Sequence, residues 1–451
     1  MKFIRIKIIA RILFVILFLR ESLTMYSQSH YETGYPFIHN YVSKDYNADN
    51  QNWAIVQDYK GIMYFGNNDG VLEYDGVNWR LIEIPGKSAV RSLAVGQDGR
   101  IYVGGTREFG YLEPGNSGNL HYVSLSDRLE EKRFDAVWRV FISSKGIYFF
   151  AGRRLIYRYS NDYLFEITVN SQLSEFRGFQ IGEDIYAIDV EDGFTKIVRD
   201  SLRTLNVGSD LGKLAIYLML PYDENKILIG TRNDGLFLYD PKIKEKAEIY
   251  FRKKINQYSD TVISRFKTNV DEYLKESHIY NGIVLPDGNY AINTLKGGII
   301  IINQDGELVK IFNKDNGLTT NTIYYLFCDI NNDLWIAGEN GISMIELSTP
   351  ITKFDRKHGL DGTLLTSEIY EDNIIIGTSS GIYYLPDYTK VAKNIEQNIL
   401  PVTKDYIFNL NNCVFKSKDQ QHTALISSTL RDLLHIVDFN TVENIQTLYA
   451  C

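Results

Sequence analysis

A short pattern recurs along the chain: an apolar strand that ends in glycine, a polar turn, and a second apolar strand. Eight copies and a degenerate ninth align, at residues 61–75, 99–113, 146–159, 183–197, 225–240, 288–303, 332–346, 372–386 and 423–437. Ala151 replaces the glycine in the third copy and Asn293 replaces it in the sixth. Recurrence at a fixed period predicts a repeat architecture before any single motif is considered.

The spacing of the copies and their internal periodicity predict the fold. From Gly66 to Gly338 the pattern returns about every 45 residues, which is the length of a four-stranded propeller blade. Within each copy apolar and polar residues alternate at period 2, as strands do and helices do not. Only residues 269–277 have a pattern that predicts a short helix. The chain is therefore predicted to be an all-β protein built of β-propeller blades.

Seven copies fall within residues 35–349 and predict one β-propeller of seven four-stranded blades. Two more fall within residues 350–451, which is too few to close another ring. We expect these to be the start of a second, incomplete propeller; a single ring of eight or nine units is the alternative. The repeated glycine is expected to permit close strand packing, or a bend, where a side chain would clash.

Residues 1–27 have the layout of a secretory signal peptide. A basic stretch that includes Lys2 and Arg11 precedes the apolar run ILFVILFL at 12–19, and small and polar residues follow. The alternative is an uncleaved membrane anchor, but this run is shorter than the roughly 20 apolar residues that span a bilayer. We therefore expect an exported protein, periplasmic or extracellular.

Composition argues against several classes of function. The net charge is −8, and residues 1–27 are basic, so the remainder of the chain is more acidic still. An acidic surface repels phosphate backbones, and we expect no nucleic-acid partner. Cys328, Cys413 and Cys451 lack the spacing of a disulfide framework or a metal site, and the seven histidines form no ligand pair. The sequence predicts no enzyme activity, no metal and no cofactor.

Several segments carry a resemblance to a known family. The segment NKDNGLTTNTIYYLFCDINNDLWIAGENGISMI at 313–345 resembles the two-component-regulator propeller repeat, which has an NGL entry, an apolar strand, an Asp and an LWIGT-like strand. RKHGLDG at 356–362, IIIGTSSGIYYL at 374–385 and GIMYFGNNDGVLEYDGVNW at 61–79 resemble it too. The resemblance covers most of the chain after residue 35.

The resemblance implies a sensor. In that family, paired seven-bladed propellers form the periplasmic or extracellular region of regulators from Bacteroidetes-type bacteria, and many are thought to sense glycan fragments. A triple-tyrosine β-sandwich, a membrane helix and a kinase or DNA-binding output usually follow, and none is recognisable in this sequence. Signal output is therefore expected from downstream membrane-anchored domains or a partner outside this chain, and a homodimer is left open.

Two sets of residues are candidates for binding a ligand. Aligned on the repeated glycine, six residues near the starts of the innermost strands are predicted to ring the channel mouth: Trp53, Arg91, Trp138, Tyr217, Tyr280 and Tyr325. Aromatic faces stack on sugars and Arg donates several hydrogen bonds, but the same side chains could instead pack between blades as core. Hairpin tips on the same face add four more candidates, for which ordinary turn chemistry is the alternative: Arg107, Arg232, Asn233 and Glu339.

These observations give the hypothesis of a non-catalytic, extracytoplasmic sensor propeller that binds an oligosaccharide or another small polar ligand. Two alternatives stay open. One is a secreted glycan-active hydrolase or lyase, because one fold hosts many chemistries and a hydrolase needs only two carboxylates across the channel. The other is a propeller whose face binds another protein.

Overall fold

The chain forms two compact units in the structure, which is a computed structural model. We call Pro36–Ile351 the ring unit and Thr352–Cys451 with Met1–Tyr35 the second unit. The described residues are 34–116, 118–152, 155–168, 177–189, 193–205, 215–241, 263–349, 351–354, 360–370, 373–385, 400–401, 410–418, 423–429, 433–438 and 446–449. The predicted signal peptide, residues 1–27, lies outside them.

Short strands make up most of the ring unit. In chain order they are β1 (Ile38–Tyr41), β2 (Asn52–Gln57), β3 (Met63–Asn67), β4 (Gly70–Tyr74), β5 (Trp79–Ile82), β6 (Val90–Val95), β7 (Ile101–Gly105), β8 (Glu108–Pro114), β9 (Leu120–Ser124), β10 (Val137–Ser143), β11 (Gly146–Ala151), β12 (Leu155–Ser160), β13 (Tyr163–Thr168), β14 (Arg177–Ile181), β15 (Asp184–Asp189), β16 (Gly193–Val198), β17 (Ser201–Thr204), β18 (Ile216–Pro221), β19 (Ile227–Thr231), β20 (Gly235–Tyr239), β21 (Ile263–Phe266), β22 (Ile279–Val284), β23 (Tyr290–Thr294), β24 (Ile299–Ile302), β25 (Leu308–Phe312), β26 (Ile323–Cys328), β27 (Leu334–Gly338) and β28 (Gly341–Ile345). Short helices span Ser43–Tyr46 and Asp271–Ser277, and single 3-10 turns span Pro85–Lys87, Ser126–Arg128 and Lys314–Asn316. The helix Asp271–Ser277 falls within the segment for which the sequence predicted one.

The strands pair into seven four-stranded antiparallel sheets. Six sheets are consecutive in the chain, namely β2–β5, β6–β9, β10–β13, β14–β17, β18–β21 and β22–β25, and the seventh has the order β1-β28-β27-β26. At the junctions other than that between the third and fourth sheets, the first strands of successive sheets lie side by side, and β26 contacts β2 to close the ring. The third and fourth sheets share a hydrophobic cluster that includes Phe150 and Ile185. The predicted seven-bladed β-propeller is confirmed, and the alternative ring of eight or nine units is wrong.

The two ends of the ring unit meet in one blade. Strand β1 pairs antiparallel with β28, with Ile38 opposite Ile345 and Tyr41 opposite Ile342. The outermost strand of the last blade therefore comes from the start of the unit. A closed ring leaves no innermost strand without a neighbour on either side.

The hydrophobic core lies between neighbouring blades. Val56 and Tyr64 of the first blade share a buried cluster with Leu93 and Val103 of the second. Alternate residues of the same strands face the other way, and Ile55 packs with residues of the last blade. The period-2 pattern of the sequence is explained because each sheet is buried on both faces by its neighbours.

The repeated glycine lies where one blade closely approaches the next. A Cβ atom added to Gly66 would be 2.9 Å from the backbone oxygen of Val90, which begins the next innermost strand. An added Cβ at Gly104 would be 2.5 Å from Val137 Cγ1. Asn293 replaces this glycine in the sixth blade, where its Nδ2 donates a 2.8 Å hydrogen bond to the Ile323 carbonyl of the seventh. Close approach between blades is thus the reason for the glycine.

The second unit contains two further four-stranded sheets. Its described strands are β29 (Leu364–Tyr370), β30 (Asn373–Thr378), β31 (Gly381–Leu385), β32 (Leu400–Pro401), β33 (Leu410–Lys418), β34 (Thr423–Thr429), β35 (Leu433–Asp438) and β36 (Gln446–Tyr449). The sheets are β29–β32 and β33–β36, and their first strands β29 and β33 lie side by side. That these sheets begin a second propeller stays a prediction. Within the described ranges, no helix has the length and apolar character needed to cross a membrane.

Candidate functional site

A β-bulge marks the start of six of the seven innermost strands. The register of each strand shifts at its second residue, which is left without a partner on the neighbouring strand. A bulge bends the strand and redirects the unpaired side chain. The six bulged residues are Trp53, Arg91, Trp138, Tyr217, Tyr280 and Tyr324. In the fourth blade β14 begins at Arg177, which pairs regularly with Ile188.

These side chains gather where the innermost strands line the central channel. We call the set the collar; its members, one from each blade, are Trp53, Arg91, Trp138, Arg177, Tyr217, Tyr280 and Tyr324. Trp53 stacks on Tyr324 with ring centroids 4.3 Å apart and meets Trp138, two blades away, edge-on at 6.0 Å. The ring centroid of Tyr280 lies 5.8 Å from that of Tyr324 and 5.9 Å from that of Tyr217. Contact between rings of non-adjacent blades shows that the collar converges on the channel axis.

Arg91 lies among these aromatic rings. Its guanidinium carbon is 3.9 Å from the ring centroid of Trp53 and 5.4 Å from that of Trp138. Its Nε and Nη1 atoms are buried and have no hydrogen-bond partner. Burial lowers the pKa of Arg91, and the hydroxyls of Tyr280 and Tyr324 across the channel act in the opposite sense. The guanidinium remains charged, because arginine does not lose its proton in proteins.

The collar side chains are held by polar contacts. Gln51 Nε2 donates a 2.9 Å hydrogen bond to the Tyr324 hydroxyl. Trp53 Nε1 donates to Asn68 Oδ1, also at 2.9 Å, from the hairpin tip of the same blade. These bonds orient the stacked pair of Trp53 and Tyr324.

The structure corrects the alignment in the last blade. Tyr325, which was predicted to belong to the ring of channel residues, pairs with Ala337 and packs against the cluster that contains Ile55 and Trp335. Burial there raises the pKa of Tyr325. The equivalent residue is Tyr324, because Ala337 and not Gly338 occupies the position of the repeated glycine. A shift of one residue turns a strand side chain to the other face.

Of the candidate hairpin tips, the one in the fifth blade lies against the collar. Arg232 Nη1 donates a 3.2 Å hydrogen bond to the Tyr217 hydroxyl. Asn233 Oδ1 lies 2.7 Å from His278 Nδ1, which belongs to the sixth blade. Glu339 is exposed in the seventh blade. Burial raises the pKa of Tyr324 most, the hydrogen bond from Gln51 lowers it, and the charge of Glu339 raises it. Arg107 is exposed in the second blade, and its backbone N–H donates to the Asp135 carbonyl.

Positive charge accumulates on the fourth, fifth and sixth blades. The guanidinium carbon of Arg177 lies 3.0 Å from the ring centroid of Tyr217. The guanidinium carbon of Arg232 lies 5.6 Å from the same centroid. Partial burial, Lys296 and then Arg232 lower the pKa of His278 from its usual 6.5. The neutral form of His278 is therefore favoured at pH 7, beside the cationic side chains of Lys296 and Arg232.

Sequence reasoning missed three residues of this site. Arg177 was overlooked because its blade has the weakest repeat and lacks the bulge. Tyr324 was missed by one position. His278 follows a short helix and has a left-handed backbone with φ of 60°, which no repeat position suggests. Of the two collar positions that hold an arginine instead of an aromatic residue, the sequence alignment identified only Arg91.

The described residues offer no obvious metal centre. Within them no group of three or more His, Cys, Asp or Glu residues is arranged to hold an ion. Cys328 is a free thiol, and burial raises its pKa to about 11.

Comparison with known proteins rests on structure. The sequence matches no family model and none of the curated proteins. The extracellular domain assigned to the hybrid two component system BT3049 from B. thetaiotaomicron has a similar fold, at 18% identity and a TM-score of 0.58, over 92% of this chain and 54% of that chain. The extracellular domain assigned to the one component system BT4673 from B. thetaiotaomicron has 15% identity and a TM-score of 0.50, over 92% of this chain and 54% of that chain. A virginiamycin B lyase from Staphylococcus aureus has 10% identity and a TM-score of 0.51, over 69% of this chain and 99% of that chain.

This chain spans about half the length of the first two structures. At such identities the likeness shows the fold, and it does not by itself assign an activity.

Proposed function

We propose that this chain is a non-catalytic, extracytoplasmic ligand-binding propeller, the sensor part of a two-component-type regulator, and that its collar recognises an oligosaccharide. The observation that carries the proposal is the collar itself: five aromatic rings and two guanidinium groups converge from all seven blades on one channel. Rigid aromatic faces with a few oriented polar groups are what sugar binding requires.

Two further observations support the sensor role. The repeat motifs at 313–345 and 374–385 resemble those of two-component-regulator propellers. Solved structures with a similar fold include extracellular domains of bacterial one- and two-component systems. Signal output would come from domains or a partner outside this chain, which binding would influence by favouring one of two arrangements.

Calorimetric titration of the purified chain with a broad panel of oligosaccharides tests the proposal. We expect at least one class to bind, and Trp53→Ala and Trp138→Ala to weaken that binding about tenfold or more, because each removes a stacking face. Tyr163→Ala is the control, since Tyr163 is 70% exposed on the outermost strand β13.

Silence across all glycan classes would count against the proposal. The same incubations also test the enzyme alternative, since new reducing ends or unsaturated products would show catalysis. Unchanged binding in both tryptophan variants would move the site away from the collar.

A further inference from the structure

Arg91 stands out among the described charged residues because of what surrounds its guanidinium. Among the residues that the structure describes, no carboxylate pairs with Arg91, and two of its three nitrogens are buried without an acceptor. The rings of Trp53 and Trp138 attract the cation, but an aromatic face accepts no strong N–H hydrogen bond. Buried N–H groups normally have an acceptor, so the missing acceptor of Nε and Nη1 points to a group supplied from outside the chain.

Neighbouring charges favour an anion in the same place. Arg177, Arg232 and Lys296 lie on the fourth, fifth and sixth blades, beside Tyr217 and His278, and the exposed Glu339 lies on the seventh. The protein as a whole carries a net charge of −8, so this concentration of cations is contrary to its average. Cations lining a concave, partly desolvated mouth focus the field and attract anions.

The geometry of a guanidinium also selects the kind of anion. Arginine presents a planar fork that suits carboxylate, sulfate and phosphate oxygens, which accept two hydrogen bonds at once. The hydroxyls of Tyr280 and Tyr324, close enough to influence Arg91, could donate to a remaining oxygen.

From these contacts we infer that the ligand of the collar carries an anionic group, a carboxylate or a sulfate, that binds Arg91 while its sugar ring stacks on the neighbouring aromatic residues. This inference rests on the proposed function, because it takes the collar as the ligand site. It narrows the ligand to acidic oligosaccharides, such as those containing uronic acids or sulfated sugars.

The experiment compares an acidic oligosaccharide with its neutral counterpart on the full chain. Trigalacturonic acid and its carboxyl-reduced form supply the carboxylate pair; a chondroitin sulfate disaccharide and its desulfated form supply the sulfate pair. Binding is read by calorimetry and by tryptophan fluorescence, because Trp53 and Trp138 flank Arg91. We expect at least one acidic form to bind about tenfold more tightly than its partner, with binding weakened by salt.

Variants separate a specific site from general attraction. R91M is expected to remove the difference between acidic and neutral forms, and R91K to retain part of it. R100M is the matched control: Arg100 also lies over an aromatic ring, 4.5 Å from the centroid of Tyr111, but it has carboxylate partners in Asp98 and Glu113. R100M should bind like the wild type.

The outcomes distinguish this inference from the proposed function. Equal binding of neutral and acidic forms, with R91M unaffected, overturns the anionic ligand and leaves an oligosaccharide sensor. Another outcome is that inorganic sulfate or free citrate binds as tightly as the acidic sugars and that R91M loses this binding. That result would support an anion at Arg91 and would overturn the proposal that the ligand is an oligosaccharide. No binding of any acidic probe overturns the inference.

Discussion

The guanidinium of Arg91 is half-buried, and two of its nitrogens are enclosed without a hydrogen-bond acceptor, an arrangement that costs free energy in a folded protein. Cation–π contact with Trp53 returns only about 0.5–2 kcal/mol. Such an arrangement is typical of a binding site and not of a stabilising contact.

Replacing Arg91 with methionine should therefore not weaken the fold. We expect R91M to leave the free energy of unfolding unchanged or to raise it by about 1–2 kcal/mol, because an apolar side chain of similar length removes the buried charge. Urea denaturation measures this. A loss of more than about 2 kcal/mol would make Arg91 a structural residue.

His278 gives the folding stability of the protein a dependence on pH. Because partial burial, Lys296 and Arg232 lower its pKa in the folded state, the unfolded chain binds this proton more readily. Folding stability should fall as the pH drops through 6.5 and level off below the folded pKa.

The comparison with His278→Asn isolates this effect, since Asn also tolerates the left-handed backbone at this position. We expect the free energy of unfolding of the variant to fall less steeply between pH 7 and pH 5. Parallel curves for the two proteins would show that His278 is not responsible.

At the scale of the element, the blade is a four-stranded sheet with two special positions. A bulge at the second residue of the innermost strand turns one side chain into the channel. A small residue on the second strand admits the next blade, whose backbone would lie 2.9 Å from an added Cβ at Gly66. The first position supplies the collar side chain of its blade, and the second is set by packing.

Adding one methyl group at Gly66 should separate two blades. We expect Gly66→Ala to cost roughly 1–3 kcal/mol of unfolding free energy, because the clash is with the backbone of Val90, which cannot rotate away. Gly115→Ala is the control, with its added Cβ at 3.4 Å from the nearest atom, an ordinary contact. If urea denaturation gives equal losses for the two variants, inter-blade packing is not the reason for the glycine.

At the scale of the whole molecule, the ring unit is closed by a strand from its own beginning. Tyr41 at the end of β1 stacks on Trp335 at 5.9 Å and contacts Tyr74 and Trp79 of the first blade. The closing strand therefore binds both the last blade, by its backbone, and the first blade, by this side chain.

Loss of that side chain should weaken the closure. We expect Tyr41→Ala to lower the free energy of unfolding by roughly 2–4 kcal/mol and to increase proteolysis of the ring unit. Val42→Ala, at a neighbouring side chain that is 41% exposed, should change it by less than about 0.5 kcal/mol. Thermal melting and limited proteolysis measure both. Identical behaviour of the two variants would contradict a closing role for Tyr41.

The amino-acid sequence by itself determined the blade and favoured a ring of seven, because period-2 alternation and a repeat of about 45 residues reflect local pairing that each copy encodes. The contact of β26 with β2, which closes the ring at seven blades, is a tertiary feature. The sequence also located Trp53, Arg91 and Trp138 at equivalent positions. Tertiary structure decided the rest: β1 closes the seventh blade over 300 residues of chain separation, and Tyr324, not Tyr325, faces the channel. Side chains alternate between the two faces of a strand, so one extra residue at a bulge moves every following side chain to the opposite face. Where a bulge lies is decided by the pairing between strands, which the sequence of one strand does not show.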